Sequence, residues 1–521
     1  MRSTTVQALL LGLLALTSRG NAIPGGLVLD DGRVLHSPCV QHPSVTCALT
    51  HDFWGRPAQE VGRTYRPLTV LSLAVDRAWG RGRPWAYHLT NVLLHVGATL
   101  ALFAFLAAFA PRHRAAALAA SALFATLAVQ SEAVAGIVGR ADVMATGLVC
   151  AALAVHCRRP RLRCLWVSLL CLLALLCHEV AIVAPALLLI CDFSRTAAGR
   201  ALRDNLATHV AVALVVVGYL VLRVTVMGRL VGPPPDVLNN PAVAADAGGR
   251  LLFALASVAR SVSVMLVPLN LSAEYGFAAV TVPTTVTVEV LTGGLIVLVL
   301  GAGFVLERRR SALLAAGCGT LLLTLLLLSN GPVLMPTAFA ERLLYLPTVG
   351  LALLAGGLVQ ASASRRGLAL ALCMALALGN LVIGLRRNLD WRDPVALFTS
   401  SARSQPDSVR AQLNLGLALN QRGDHRQAVA PLSRALKLYP SLDVAAVELA
   451  MALDMLGQPR RAGALFEAVR RRSPRDPWAL QNHVQYLVRH GQRARARGLV
   501  REFLEAAPGD QTALRLMRGL R

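Results

Sequence analysis

Two adjacent carboxylates, Asp30-Asp31, follow the first apolar stretch of the chain, Thr5–Thr17. A carboxylate at the water boundary of a membrane helix is poised to take the proton of a hydroxyl as a general base. A pair of them also suits a divalent cation. Asp-Asp-Gly is equally good turn chemistry, so a solvated turn is the alternative. Other polar groups collect where apolar runs end: His88, Asn91 and His95; Glu132, Arg140 and Asp142; His178-Glu179; Glu274; and Glu341-Arg342. Ionisable groups at membrane depth are costly and usually functional. One alone, such as His95, is ordinarily a satisfied packing residue. The whole set on one face of one domain is the stronger signal.

The elements that must position these groups are membrane helices. The chain of 521 residues is 55% hydrophobic and only 15% charged, with a mean hydropathy of +0.55. Runs such as Ala115–Ala128, Leu295–Leu306 and Leu321–Leu328 have the composition of bilayer spans. The net charge of +24 is nearly all arginine, and Lys437 is the one lysine. That bias marks a GC-rich coding sequence. The arginines sit in short loops between apolar spans, as membrane topology requires, which argues against a nucleic-acid partner.

Spans are predicted at Thr5–Thr17 and at about 87–109, 115–131, 141–157, 164–177, 180–193, 206–226, 289–306, 311–328, 343–360 and 367–385. A cleaved signal peptide is the alternative for the first. The loops at Arg112–Arg114, Arg158–Arg163, Arg195–Arg203, Arg308–Arg310 and Arg365-Arg366 share one side if Leu251–Pro268, with its Arg260 and serines, lies at the interface. Those basic loops are then cytoplasmic. About eleven crossings put the C-terminus and the polar junctions on the outside. The large outward loop runs from about residue 22 to 86. Eight of the ten cysteines lie in or beside apolar segments; Cys39 and Cys47 share this polar loop.

The end of the chain is periodic. Gly423, Gly457 and Gly491 are 34 apart, as are Ala428, Ala462 and Ala496, and Pro440, Pro474 and Pro508. This is the period of tetratricopeptide helix pairs, which stack into a concave, peptide-binding surface. The expected architecture is all-α: a membrane domain over 1–386, then a repeat solenoid over 387–521 with copies at 407–440, 441–474 and 475–508.

Several motifs stand in order along the membrane part. They are Leu29-Asp30-Asp31, His51-Asp52-Phe53-Trp54-Gly55, Tyr65-Arg66-Pro67-Leu68-Thr69, Tyr87 to His95, Glu132 to Asp142, and Ala340 to Pro347. In these the chain resembles the transmembrane and tetratricopeptide-repeat family of protein O-mannosyltransferases and its bacterial relatives. The family is similar to membrane glycosyltransferases that use lipid-phosphate sugars. The resemblance implies that Asp30 or Asp31 activates the acceptor and that the donor is a polyprenyl or dolichyl phosphate mannose. It implies a donor-phosphate and substrate side formed by Tyr65, Arg66, Arg140, His178, Glu179, Glu341 and Arg342. The arginines would stabilise the phosphate as it leaves. A divalent cation at Asp30/Asp31 is an open expectation, and no other cofactor is implied.

Two features depart from the family. His178-Glu179 stands where the family has Lys-Glu, and a histidine binds phosphate only partly at neutral pH. The repeat array is short, so substrates of longer members do not carry over. The functional expectation is transfer of a sugar, mannose by resemblance, from the lipid-linked donor to Ser/Thr hydroxyls of translocated proteins held by the repeats. The alternative is a non-catalytic, membrane-anchored scaffold for extracytoplasmic proteins. A transporter finds no support in internal symmetry or a broken helix pair. Coding bias and the compact array favour a bacterial inner membrane, with the endoplasmic reticulum as the alternative.

Cys39 and Cys47 lie eight residues apart on the side where disulfides persist. A bridge is expected, although the family pattern does not ask for one; two free thiols are the alternative. The charge argument itself is directly testable. A reporter fused after Arg114, Arg163 or Arg310 should read cytoplasmic, and one at the C-terminus should read outside. A cytoplasmic C-terminus would mean a miscounted span, with Leu251–Pro268 the first suspect.

Overall fold

The apolar runs fold as helices and the polar junctions as the breaks between them. The structure is a computed structural model that describes residues 2–57, 64–195 and 198–520. Met1, residues 58–63 of the loop expected outside, 196–197 of one basic loop, and Arg521 lie outside the described residues. Among the described residues every regular element is helical, and the one bridge, His51 with Pro57, is isolated. The all-α expectation holds.

Two units make up the chain. The first comprises Met1–Leu271 and Val282–Leu397; the second comprises Ser272–Thr281 and Phe398–Arg521.

In the first unit, seven helices among the described residues are long and apolar enough to cross a membrane. The count is eight if the bent pair Arg114–Thr126 and Ala128–Ala135 is one span. Eleven were expected. Four expected spans are not among these: Arg163–Cys177 and Ala312–Leu328, which are apolar but shorter, and Arg2–Arg19 and Ala184–Arg195. Ala247–Leu266, expected at the interface, is a 20-residue helix that meets the length and composition of a span.

Small residues let these helices approach. A Cβ on Gly317 would sit 2.7 Å from the backbone nitrogen of Leu354, and one on Gly350 2.8 Å from that of Leu321. Helices 312–328 and 347–361 therefore meet backbone to backbone, the usual device where lipid supplies no hydrophobic drive for helix pairing. The break at Leu127 bends its pair by 50°. It frees backbone groups that side chains then satisfy: Arg19 donates to the Leu127 carbonyl, and Asn380 Oδ1 accepts from Ala128 N at 3.1 Å. Such repair is required of any helix break at membrane depth.

The loop over about residues 22–86, expected outside, is itself folded. Short helices Asp31–Leu35, Pro38–Gln41 and Val45–Thr50 precede a longer one, Pro67–Gly80. Val34, Val40, Phe53, Leu73, Tyr87 and Ile137 form its buried core. Cys39 and Cys47 close a disulfide with 5.4 Å between Cα atoms. A ring of this size removes disorder from the unfolded loop, stabilising it by roughly 2–3 kcal/mol on the chain-entropy account.

The second unit carries the repeats as helix pairs: 409–422 with 425–438, 443–455 with 459–472, and 477–489 with 493–506, followed by 511–519. Gly423, Gly457 and Gly491 have φ of +88°, +72° and +71°. Each ends a first helix in the left-handed conformation that glycine adopts without a Cβ clash, which is why the period is marked by glycine. Within a pair the helices close on Gly416, where a Cβ would lie 2.4 Å from Leu432 Cγ. Gly416→Val should therefore wedge the first pair apart, costing about 1–3 kcal/mol by overpacking. Limited proteolysis should then cut between residues 409 and 440 faster than in the parent; unchanged cleavage would mean that the pair tolerates separation.

Candidate active site

The site residues come from junctions far apart in sequence, and one buried guanidinium arranges several of them. Arg140 opens the helix Arg140–Arg158 and is fully buried. Its Nε donates to Asn91 Oδ1 at 2.7 Å, one terminal nitrogen reaches the Tyr87 carbonyl at 2.9 Å and Asp76 at 2.5 Å, and the other reaches Ser72 Oγ at 3.3 Å. Asn91 in turn donates to the carbonyls of Val134 and Gly136. The segment so held presents Val138 N–H to Asp31 Oδ1 at 3.1 Å. Arg140 was expected beside the donor phosphate. The structure holds it, fully buried, in this internal network.

The two neighbouring carboxylates have different surroundings. Asp31 is buried, and its second oxygen accepts from Val28 N at 3.1 Å. Burial pushes its carboxyl up to about 7 against the pull of those backbone bonds. Asp30 is exposed and precedes the short helix Asp31–Leu35. The preceding Leu29 has φ +50°, a left-handed conformation that costs a non-glycine residue of order 1–2 kcal/mol. Asp31 gives both oxygens to backbone N–H groups, so the pair is a poor chelate for a divalent cation.

Beyond Asp30 the charges alternate. Arg342 is close enough to feel Asp30, Glu132 and Asp142. Its guanidinium pairs with the buried Glu132, whose other oxygen accepts from Arg342 N at 3.1 Å. Asp142 faces His178 Nε2 at 3.5 Å, and the charges of Arg66, Arg342 and Glu179 act on it as well. Glu341 is fully buried and faces Arg387 at 3.9 Å. The bend at Leu127 brings Glu132 here.

Glu179 forms the other end of the strip. Arg66 Nε donates to it at 2.9 Å, Tyr65 N at 2.9 Å and Arg223 at 3.1 Å. Burial works to raise its carboxyl, but the Arg66 and Arg223 guanidinium groups beside it hold it well below the usual range. Arg66 also lies over the Phe53 ring at 5.3 Å, and Thr69 ties its helix to the Cys177 carbonyl at 2.9 Å. Sequence reasoning missed Arg223, Asp76 and Arg387. A lone arginine late in an apolar span was the available signal for Arg223.

His178 is a helix cap. Its Nδ1 accepts from Val180 N at 3.0 Å and its Nε2 faces Asp142 at 3.5 Å. Burial, with Arg66 beside it, pushes the imidazole down to about 3. It stays neutral at working pH and supplies no cation for a phosphate. A histidine near 3 when folded and near 6.5 when unfolded binds more protons unfolded across that window. Its contribution to stability is whole above pH 6.5 and falls as pH drops toward 3. His178→Asn keeps a capping oxygen. Its thermal midpoint should fall less steeply than the parent's between about pH 6.5 and 4, by up to about one proton; parallel curves would show that His178 titrates normally.

The chain has relatives of known name. A tetratricopeptide-repeat family model matches residues 410–441. The protein O-mannosyl-transferase Tmtc1 of Drosophila melanogaster is 41% identical over 186 residues, 33% of this chain and 21% of the relative. The protein O-mannosyl-transferase F38B6.6 of Caenorhabditis elegans is 26% identical over 414 residues, 76% of this chain and 57% of the relative. Tmtc3 of Drosophila melanogaster, also a protein O-mannosyl-transferase, is 28% identical over 479 residues, 76% of this chain and 51% of the relative. The chain thus spans from a fifth to somewhat over half the length of these curated relatives. Along three quarters of its length the chain is thus similar to proteins named protein O-mannosyl-transferases, and its C-terminal part carries a tetratricopeptide repeat.

Proposed function

We propose that the chain transfers mannose from a lipid-linked phosphate donor to Ser or Thr hydroxyls of polypeptides on the non-cytoplasmic side, with the repeats holding the acceptor. The observation that carries this reading is a strip of alternating charge: exposed Asp30, whose charge acts on Arg342; Arg342 paired with Glu132; and Arg66 and Arg223 converging on Glu179. Asp30 takes the acceptor proton. The hydroxyl oxygen then bonds to the anomeric carbon as the bond from that carbon to the phosphate oxygen breaks. The departing phosphate carries the negative charge, which Arg342 and Arg66 stabilise. Arg342 has a third of its side chain exposed, and its pairing with Glu132 holds it in place. Asp31 keeps the loop seated rather than touching substrate. Tyr65 offers its backbone N–H to Glu179, and Glu341 orients Arg387; both act as positioning residues in this reading.

The domain division proposed follows the two units. The bridge between Cys39 and Cys47 calls for an oxidising side, which the bacterial periplasm, favoured by the coding bias, and the endoplasmic reticulum lumen both supply.

The test is a transferase assay with purified protein, several lipid-phosphate sugars and a Ser/Thr-rich peptide. Asp30→Asn should lose transfer by about a hundredfold or more with an unchanged thermal midpoint. Asp31→Asn should instead lower the midpoint, since its amide cannot accept both backbone N–H groups. Full activity in Asp30→Asn would overturn the base assignment. A parent protein inert with every donor would favour the scaffold.

A further inference from the structure

A ten-residue piece of the membrane sequence folds with the repeats. The chain leaves the first unit after Leu271 and re-enters it at Val282, and residues 272–281 belong to the second unit. They form no regular helix or strand. Yet Tyr275 and Val280 are buried, and Glu274 is only 9% exposed. The segment is seated as a ligand would be. Ala273 N donates to Ser401 Oγ at 3.2 Å, and Val409 N donates to the Phe277 carbonyl at 3.3 Å. The Phe277 ring meets Tyr439 edge-on at 5.4 Å. The Glu274 carboxylate is held on both oxygens, by Arg410 Nε at 3.2 Å and Asn414 Nδ2 at 2.7 Å.

Arg410 and Asn414 lie one helical turn apart on the first helix of the first repeat. One period on, their places are taken by Val444 and Glu448; two periods on, by Trp478 and Asn482. Of the three repeats, this pairing of a guanidinium with an amide occurs only in the first. It is a carboxylate reader, since arginine and asparagine both donate and the acid accepts.

One residue of the occupant holds a strained backbone conformation. Ala278 has φ +69°. A left-handed conformation is unfavourable for an alanine, which weakens the segment's hold.

We propose that this face of the first repeat is a binding site for extended polypeptide carrying a carboxylate three residues ahead of an aromatic ring, and that residues 272–281 are its built-in, displaceable occupant. A protein partner with the same acid-and-ring spacing takes the site by competing with the tethered segment. Tethering sets a high threshold, because a linked ligand acts at an effective concentration of about millimolar. The site does not depend on the reading of the chain as a transferase.

The probe is a fluorescent peptide with the sequence of residues 270–283, added to the full chain in detergent. Glu274→Ala/Phe277→Ala empties the site. It should bind the peptide at least tenfold more tightly than the parent, and adding Arg410→Ala/Asn414→Ala should abolish that binding. Equal affinity in parent and variant, or binding that survives loss of Arg410 and Asn414, would overturn the proposal. A measurement on the unmodified parent covers misfolding of the variant. Excess peptide should raise deuterium uptake at 272–281, and uptake unchanged at millimolar peptide would also overturn it.

Discussion

A guanidinium buried away from water must find acceptors for its donors or destabilise everything around it. Arg140 finds them on Ser72, Asp76, Tyr87 and Asn91, which belong to the loop helix 67–80 and the span 84–109. That one group ties the outward loop to the membrane helices. Through Asn91 it fixes the segment 134–138, and through Val138 it seats Asp31. The position of Asp30 is a consequence. Its carboxylate is turned outward because its neighbour is turned inward and held by two backbone N–H groups. A substitution at Arg140 is therefore felt at the carboxylates without Arg140 touching them.

The strip beyond Asp30 obeys a second constraint. Charges near a membrane boundary are tolerated when each has an opposite partner. Arg342 with Glu132, Arg66 and Arg223 with Glu179, and Arg387 with Asp390 meet that condition. His178 stands apart. Where a lysine would have added a cation, a neutral imidazole caps a helix turn and leaves the positive charge of this end to Arg66 and Arg223.

In the repeats, backbone geometry dominates. The left-handed glycines set the turn between the two helices of a pair, and the glycine at 416 sets how near those helices come. The grip on Glu274 is different in kind, because it rests on two side chains that the period does not repeat.

Much of this was legible in the residues alone. Helix length follows from apolar run length, and the repeat follows from spacing, since a left-handed turn needs glycine wherever it recurs. The pairing of Cys39 with Cys47 followed from nearness in sequence. The count of crossings was less legible, because Arg163–Cys177 and Ala312–Leu328 are apolar enough but short, and Ala247–Leu266 is long despite its arginine. What no local pattern contained was partnership across the chain. Asp30 and Asp31 are neighbours in sequence and opposites in exposure. Arg140 and Arg342 looked alike and are not. Arg223 reaches Glu179 from 44 residues away, and residues 272–281 join the repeats. Spacing records what one element does along its own axis. Burial and ion pairing depend on which elements pack together, and that only the tertiary structure decided.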